Sequence, residues 1–501
     1  MPGNLFELIR DASSPDRAAI RTPEGAVFTY GDLIAWSGRL AGALTAAGVR
    51  PGDRVAVQVE KTPQAVLLYL ACLRAGAVYL PLNTAYTLAE LDYFLGDAEP
   101  SLVVCDPQRL DGVTSLAGKI GAAVETLDAD GRGTLMDRAA AAPAEFADVA
   151  RSPEDLATIL YTSGTTGRSK GAMLSHRALS SNALTLRDAW RFTRDDVLLH
   201  ALPIFHIHGL FVAINLTLIS GASMILLPKF DPKAILRWLP EATVMMGVPT
   251  FYVRLLQEPG LAAATRNMRL FVSGSAPLLA ETHRQWEEVT GHAILERYGM
   301  SETNMNTSNP YDGARVPGSV GPPLAGVEVR ITEPESGSPL AAGEVGMIEV
   351  RGPNVFSGYW RMPEKTAAEF RADGFFITGD LGVIDGAGYV SIIGRSKDLV
   401  ISGGYNVYPK EVEDEIDALP GVIESAVVGL PHPDLGEGVT AVVVPAGGAT
   451  LTEAEIQAAL KDRLAGYKRP KRVVFVEELP RNTMGKVQKA ELRKRLDGLY
   501  D

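Results

Sequence analysis

The run Leu156-Ala-Thr-Ile-Leu-Tyr-Thr-Ser-Gly-Thr-Thr-Gly-Arg-Ser-Lys170 decides how the rest of the chain is read. Its first six residues are mostly apolar and predict a short buried strand. The next nine combine glycines, hydroxyls and two cations. Glycines permit tight backbone turns, exposed N–H groups and hydroxyls can hold phosphate oxygens, and a lysine adds a point charge. This is not a Walker A loop, because its Gly and Lys are not adjacent and no Gly-Lys-Ser/Thr ending follows. Taken alone, the segment fits an ordinary surface turn as well.

On either side the chain alternates between strand and helix signals. Apolar residues at helical spacing over 35–48 stop at Gly48, and Arg54-Val-Ala-Val-Gln-Val follows as a strand. Thr62 to Leu73 predicts a helix, Ala77-Val-Tyr-Leu-Pro-Leu a strand, Leu88 to Leu95 a helix and Ser101-Leu-Val-Val-Cys a strand. Ser223-Met-Ile-Leu-Leu, Val244-Met-Met-Gly-Val and Leu270-Phe-Val-Ser continue the pattern downstream. Such alternation implies parallel sheets with crossover helices. Beyond Pro310, Val327-Glu-Val-Arg-Ile and Gly346-Met-Ile-Glu-Val alternate with period two and predict antiparallel strands. The texture changes again near Gly394-Arg-Ser-Lys-Asp398. The last hundred residues predict a small α+β unit, with helices over 409–418 and 452–464, strands over 423–428, 439–444 and 472–476, and a charged final helix.

The fold class is therefore α/β. A large N-terminal body, 1–396, holds two parallel-type sheet subdomains and a β-rich subdomain, and a small α+β cap spans 397–501. The 501 residues suit about three units at roughly 150 residues each. A formal net charge of −12 argues against a nucleic-acid or anionic-membrane binder. Cys72 and Cys105 are the only cysteines, which rules out a disulfide scaffold and fits a reducing cytoplasm. The N-terminus has no signal-peptide pattern. The most apolar stretch, 209–228, is broken by Asn215, Thr217, Ser220 and Gly221, and reads as two buried elements rather than a membrane span.

Further motifs stand in order along the chain: Leu202-Pro-Ile-Phe-His-Ile-His-Gly209, Ser273-Gly-Ser-Ala-Pro277, Arg297-Tyr-Gly-Met-Ser-Glu-Thr303 and Phe376-Ile-Thr-Gly-Asp380. Gly394-Arg-Ser-Lys-Asp398, Gly403-Gly-Tyr-Asn-Val407 and Pro480-Arg-Asn-Thr-Met-Gly-Lys486 complete the set. Together with the Thr162–Lys170 loop, these motifs resemble the adenylate-forming superfamily of acyl-CoA synthetases and adenylation domains over almost the whole chain. The stretches Tyr79-Leu-Pro-Leu-Asn-Thr-Ala-Tyr-Thr and Glu302-Thr-Asn-Met-Asn-Thr-Ser-Asn-Pro most resemble malonyl-CoA and methylmalonyl-CoA synthetases.

The resemblance implies that ATP, Mg2+ and coenzyme A are used in an AMP-forming ligation. Lys486 would bridge the substrate carboxylate and the α-phosphate, and Glu302 would hold magnesium. His206 would lie at the acyl pocket beside the carboxylate. The phosphates would be cradled by Thr162, Ser163, Gly164, Thr165, Thr166, Gly167 and Lys170, with Thr303 as a further hydroxyl donor. Tyr298 would stack on adenine, with Gly299, Met300 and the turn Ser275, Ala276, Pro277 around it. Asp380 would accept from the ribose hydroxyls, and Arg395 would support ribose or phosphate. The cap would rotate about Lys397 and exchange Lys486 for Gly403, Gly404 and Tyr405 before the thiol step. The basic final segment, with twelve Lys/Arg against six Asp/Glu over 461–501, suits that phosphate-rich role. A lysine acetyltransferase acting on Lys486 is a regulatory partner in keeping with this resemblance.

A dicarboxylate brings a second charge that must be desolvated and therefore needs a paired cation. Arginine suits it, through two parallel hydrogen bonds. Arg254 and Arg284 lie on helices next to pocket motifs and are the candidates, with Ile207 and Met305 as apolar walls and Ser275 at the pocket edge. His206 and His208 lack the further ligands that a zinc site needs. Four other readings stand beside this one. A carrier-loading amino-acid adenylation enzyme is disfavoured, since Ile204-Phe-His offers no acid for a substrate ammonium. A short- or medium-chain monocarboxylate ligase differs only in the acyl pocket. A non-catalytic nucleotide sensor is disfavoured by the intact Lys486, Glu302 and Asp380, while a luciferase-like oxygenase shares only the fold.

Overall fold

The computed structural model describes residues 3–162, 169–447, 451–482 and 485–500. Two mostly parallel sheets face each other across buried helices. One has six strands in the order Ala123–Thr126, Leu102–Cys105, Arg54–Gln58, Val78–Pro81, Leu156–Thr162 and Lys170–Ser175. The first five run parallel, and the last returns antiparallel, with Thr162 opposite Lys170. The other has eight strands, ordered Asn304–Ser308, Leu295–Met300, Leu270–Ser273, Val244–Gly247, Val197–His200, Ser223–Leu226, Ala18–Arg21 and Val27–Thr29. Its inner strands are parallel, and both edges close antiparallel.

The helix Pro63–Arg74 shows why these layers hold together. Thr62 caps it by accepting from Ala65 N at 3.1 Å, Pro63 starts it with a preset φ, and it is buried almost all round. Tyr69 inside it stacks edge-on with Tyr79 and donates to Asn215 Oδ1 at 3.0 Å, tying one layer to the other. A helix buried on every side gains stability from both sheets at once.

The β-rich part is a four-stranded antiparallel sheet of Glu328–Thr332, Gly346–Arg351, Phe376–Ile384 and Val390–Arg395. The C-terminal sheet pairs Tyr405–Val407, Val400–Ser402, Gly436–Pro445 and Val422–His432, with Arg472–Phe475 added in parallel. It has its own apolar clusters, one around Val412, Ile416 and Val443 and another around Val428, Val442 and Leu492.

Several bounds depart from the sequence reading. The first long helix is Tyr30–Ala46 and starts early because Thr29 and Asp32 form a capping box. The strands Ala18–Arg21 and Val27–Thr29 escaped notice because they are only four and three residues long. Strands expected over 423–428 and 439–444 extend to Val422–His432 and Gly436–Pro445, since a long antiparallel ladder joins them. The helix expected over 452–464 ends at Ala459. Between 209 and 228 the chain forms a π-helical turn, His208–Ile214, then helix Asn215–Ile219 and strand Ser223–Leu226. No helix among the described residues is long and apolar enough to cross a membrane.

Candidate active site

The site gathers at the carboxyl ends of the parallel strands, where open α/β sheets commonly leave a crevice. Strand Leu295–Met300 delivers Tyr298, and the antiparallel strand Phe376–Ile384 delivers Asp380. Tyr298 donates its phenol to Asp380 Oδ2 at 2.5 Å, and Arg395 Nε meets Asp380 Oδ1 at 2.7 Å. Both carboxylate oxygens are thus held in place, with lone pairs left for hydroxyl donors. Burial, with Asp380 next to it, pushes the Tyr298 phenol far above its usual range. The Asp380 carboxylate in turn strengthens the charge on Arg395.

Glu302 is buried one turn further on. Tyr359 Oη lies 3.1 Å from its Oε1 and 2.7 Å from Glu369 Oε2, so one phenol sits between two carboxylates. Burial raises the Glu302 carboxyl above its ordinary value, against the bonds from the backbone and Tyr359 and the charges of Arg395 and Lys170. Lys170 reaches into the same cluster, 3.2 Å from Glu369 Oε1 and 4.0 Å above the Tyr359 ring. Thr303 beside it is fully buried, and its hydroxyl has no partner among the described residues. An orphaned hydroxyl next to a buried carboxylate is a donor set for a hard cation or a phosphate oxygen. Among the described residues no three His, Cys, Asp or Glu side chains form a metal cage. Magnesium, which favours one or two carboxylates completed by phosphates and water, fits these residues.

Residues Ser163, Gly164, Thr165, Thr166 and Gly167 lie outside the described residues. Their two flanks do not: Thr162 donates to Lys170 O at 3.5 Å, closing the hairpin from which that loop springs.

Lys486 approaches from the C-terminal unit. Its loop presses on the body, since a Cβ on Gly485 would lie 3.1 Å from Thr250 Oγ1 at the start of helix Pro249–Leu255. Solvent still reaches the Lys486 side chain at the mouth of the crevice. Crowding by protein lowers its amine below the ordinary lysine value; Arg395 and Lys397 add to the lowering, and Asp380 and Asp398 oppose it. The structure therefore brings Lys486, Arg395, Asp380 and Lys397 together. Gly403 and Gly404 make a left-handed turn, and Tyr405 stands exposed, its ring stacked 4.7 Å from that of Tyr467.

The turn 203–209 and the segment Ser273–Pro277 come together where the resemblance expects the acyl pocket. His206 is half-buried, and burial, with Arg297 and Lys486 near it, lowers its imidazole to about 4. His208 Nδ1 lies 3.2 Å from Ser275 Oγ, while its Nε2 is buried without a partner. Ser275 holds a left-handed φ of 72°, a strained position for a residue with a side chain, and its hydroxyl bond to His208 helps to hold it. Ile207 and Met305 are buried. Met305 pairs across the strand with Gly299, whose Cβ would strike Asn304 O at 1.9 Å.

Neither arginine expected here reaches the pocket. Arg254 is exposed on its helix, and Arg284 is 63% exposed and paired with Glu281 at 2.7 Å. The buried cation is Arg297, first residue of the Arg297–Thr303 motif and unassigned by the sequence reading. It is 3% exposed, its Nε and Nη2 have no partner, and no carboxylate among the described residues lies within ion-pair distance. Burial lowers its guanidinium to about 9, although Arg is ordinarily charged far above that. Gly274 makes room for it, as a Cβ there would stand 2.3 Å from the guanidinium carbon. The missed signal was a charged residue inside a buried strand, next to a motif glycine.

This geometry joins a carboxylate braced by a phenol and a guanidinium, a buried carboxylate beside an orphan hydroxyl, a lysine from the C-terminal unit and a buried arginine. Residues 9–360 match the AMP-binding enzyme family, and 411–486 match its AMP-binding enzyme C-terminal domain. The chain belongs to the AMP-binding enzyme family. Its fold is that of ATP-bound MatB from Rhodopseudomonas palustris, 64% identical, with full coverage of both chains and a TM-score of 0.99. Against the apo form of that protein, at the same identity and coverage, the TM-score is 0.87. A malonate–CoA ligase from Arabidopsis thaliana is 36% identical, covering 99% of this chain and 90% of its own. A feruloyl-CoA synthase from an Amycolatopsis species is 39% identical over 97% of each chain.

Proposed function

We propose that this chain is an ATP-dependent, AMP-forming ligase that joins malonate, and more slowly methylmalonate, to coenzyme A through an acyl-adenylate. The observation that carries the dicarboxylate is Arg297, a buried guanidinium with two free donors and no counter-ion among the described residues. Leaving such a charge unpaired is costly, and a ligand carboxylate supplies both its hydrogen bonds and its counter-charge. The malonate–CoA ligase relative supports the same reading.

A carboxylate is a poor electrophile, so it is first activated. One oxygen of the reacting carboxylate attacks the α-phosphorus, the bond to the bridging oxygen breaks, and pyrophosphate leaves. No proton moves in this step, and what the residues supply is charge and alignment. Lys486 sits between anions that would otherwise repel each other. His206, neutral at pH 7, can share a hydrogen bond with the reacting carboxylate without competing for charge with Arg297 and Lys486. Asp380, fixed by Tyr298 and Arg395, holds the ribose. Glu302 and Thr303 would hold Mg2+, which when bound neutralises charge on the leaving phosphates. In the second step the coenzyme A sulfur, with its proton lost, attacks the acyl carbon, and the carbon–oxygen bond to AMP breaks.

The thiol needs the face that Lys486 covers. We assign residues 397–501 as a cap that turns about Lys397 and brings Gly403, Gly404 and Tyr405 to the site. The closer match to the ATP-bound than to the apo form of MatB supports reading the present arrangement as the adenylating one. Acetylation of Lys486 by a lysine acetyltransferase would remove the charge used in the first step. Buried, unpaired Cys72 and Cys105 support a reducing cytoplasm as the setting. The test is a carboxylic-acid panel in a CoA-ligation assay that measures AMP. Malonate should lead, methylmalonate follow, and acetate, butyrate and ferulate trail; a lead for ferulate or acetate overturns the dicarboxylate assignment.

A further inference from the structure

Lys61 is buried between the two parallel sheets, at the turn after strand Arg54–Gln58, and takes no part in the chemistry above. Its Nζ lies 2.7 Å from His200 Nδ1 and 2.9 Å from His200 O. His200 ends the strand Val197–His200 of the facing sheet and is itself buried. The other ring nitrogen, Nε2, lies 2.8 Å from Gly209 O.

The Gly209 carbonyl sets the donor and acceptor roles. A carbonyl oxygen only accepts, so Nε2 carries the hydrogen toward Gly209. In a neutral ring Nδ1 is then a bare lone pair, which only a donor can satisfy, and Lys61 is that donor. Burial, with Lys61 alongside, holds this ring well below the usual imidazole range, and burial likewise lowers the Lys61 amine well below the ordinary lysine value; charged or neutral, that amine still has an N–H to donate. No carboxylate among the described residues pairs with Lys61; its two bonds both go to His200.

Gly209 closes the turn 203–209. A Cβ on it would stand 2.0 Å from Pro203 O, so the chain doubles back on itself there. Leu210 N bonds back to His206 O at 3.0 Å. From Gly209 the chain enters the π-helical turn His208–Ile214, an uncommon geometry that collects at functional sites.

We propose that Lys61 is a positioning residue of the acyl pocket: through the His200 ring it fixes the Gly209 carbonyl, and with it the turn that presents His206 and His208. This rests on the assignment of that turn to the acyl pocket. It concerns the acid substrate and not ATP, whose ribose and phosphate contacts come from other strands.

The test has a wild-type arm and two variants. In histidine-labelled wild-type enzyme, nitrogen NMR should show His200 as the Nε2–H tautomer, with Nδ1 shifted by an accepted hydrogen bond. Lys61→Met should erase that shift and raise the KM for malonate about tenfold, the scale of one lost hydrogen bond. The KM for ATP should change less than about twofold, since the loss falls on binding of one substrate. Lys61→Gln, which keeps an N–H donor, should recover most of the malonate affinity. A His200 proton on Nδ1 in the wild type, or equal rises in both KM values, overturns the proposal even if the variants are unstable. Failure of the wild type to use malonate at all strikes instead at the substrate assignment.

Discussion

In the proposed reaction Arg297 and Lys486 divide the work of charge at the two ends of one acid. Arg297 is fixed by a strand, walled by Gly274 and shielded from water, so it can select but cannot move. Lys486 stands on a loop at the mouth, still wetted, with its amine lowered by the protein around it and by Arg395 and Lys397. A group that must enter for one step and leave for the next suits such a place. Replacing Lys486 by Ala should cut malonate-dependent pyrophosphate exchange by at least about 10², the scale of one preorganised electrostatic donor. Transfer from preformed malonyl-adenylate to coenzyme A should survive in the same variant. Equal loss in both half-reactions, measured separately, would contradict the division.

Among the elements, capping shows how much a sequence reveals. Thr452 accepts from Glu455 N, and the Glu455 carboxylate answers to Thr452 N at 2.9 Å, a reciprocal pair legible as Thr-x-x-Glu. Thr452→Ala should lower the stability of the C-terminal unit by about 1 kcal/mol, read from its urea midpoint. The proposed hinge belongs to this scale too. Lys397→Pro should slow thioester formation more than adenylation, and equal slowing would remove Lys397 from the hinge. Period-two and helical patterns disclosed most strands and helices, because one buried face fixes each register. The hairpin of Ala18–Arg21 and Val27–Thr29 was hidden, since three or four residues carry too little periodicity. Glu302, Asp380 and Lys486 were legible through ordered motifs. Arg297 was not, because arginine is mostly exposed and nothing local in the sequence marks this one as buried. Its place depends on Gly274, twenty-three positions away in the chain, and only the fold joins them.

At the scale of the whole molecule, histidines held neutral make folding sensitive to acid, His176 and His206 among them. Burial lowers His176 and His206 to about 4 in the native state, against an ordinary value near 6.5. Between those values the unfolded chain binds more protons than the native one. Their contribution is therefore complete above about pH 6.5 and drains away as pH falls toward about 4. His176 accepts from Leu5 N at 3.1 Å and so ties the first helix, Leu5–Ala12, to the core. His176→Asn, which keeps an acceptor and cannot be charged, should narrow the gap between urea midpoints at pH 7 and pH 5. An unchanged gap would take His176 out of the acid response. The account as a whole turns on one buried cation, Arg297, proposed to select a second carboxylate at an adenylating site. Its most direct test is the ratio of kcat/KM for malonate to that for butyrate, measured in the wild type and in Arg297→Met. The wild type should favour malonate, and the variant should lose malonate use by about 10² while keeping butyrate, the scale of breaking one buried charge pair. A ratio unchanged by Arg297→Met would contradict the account.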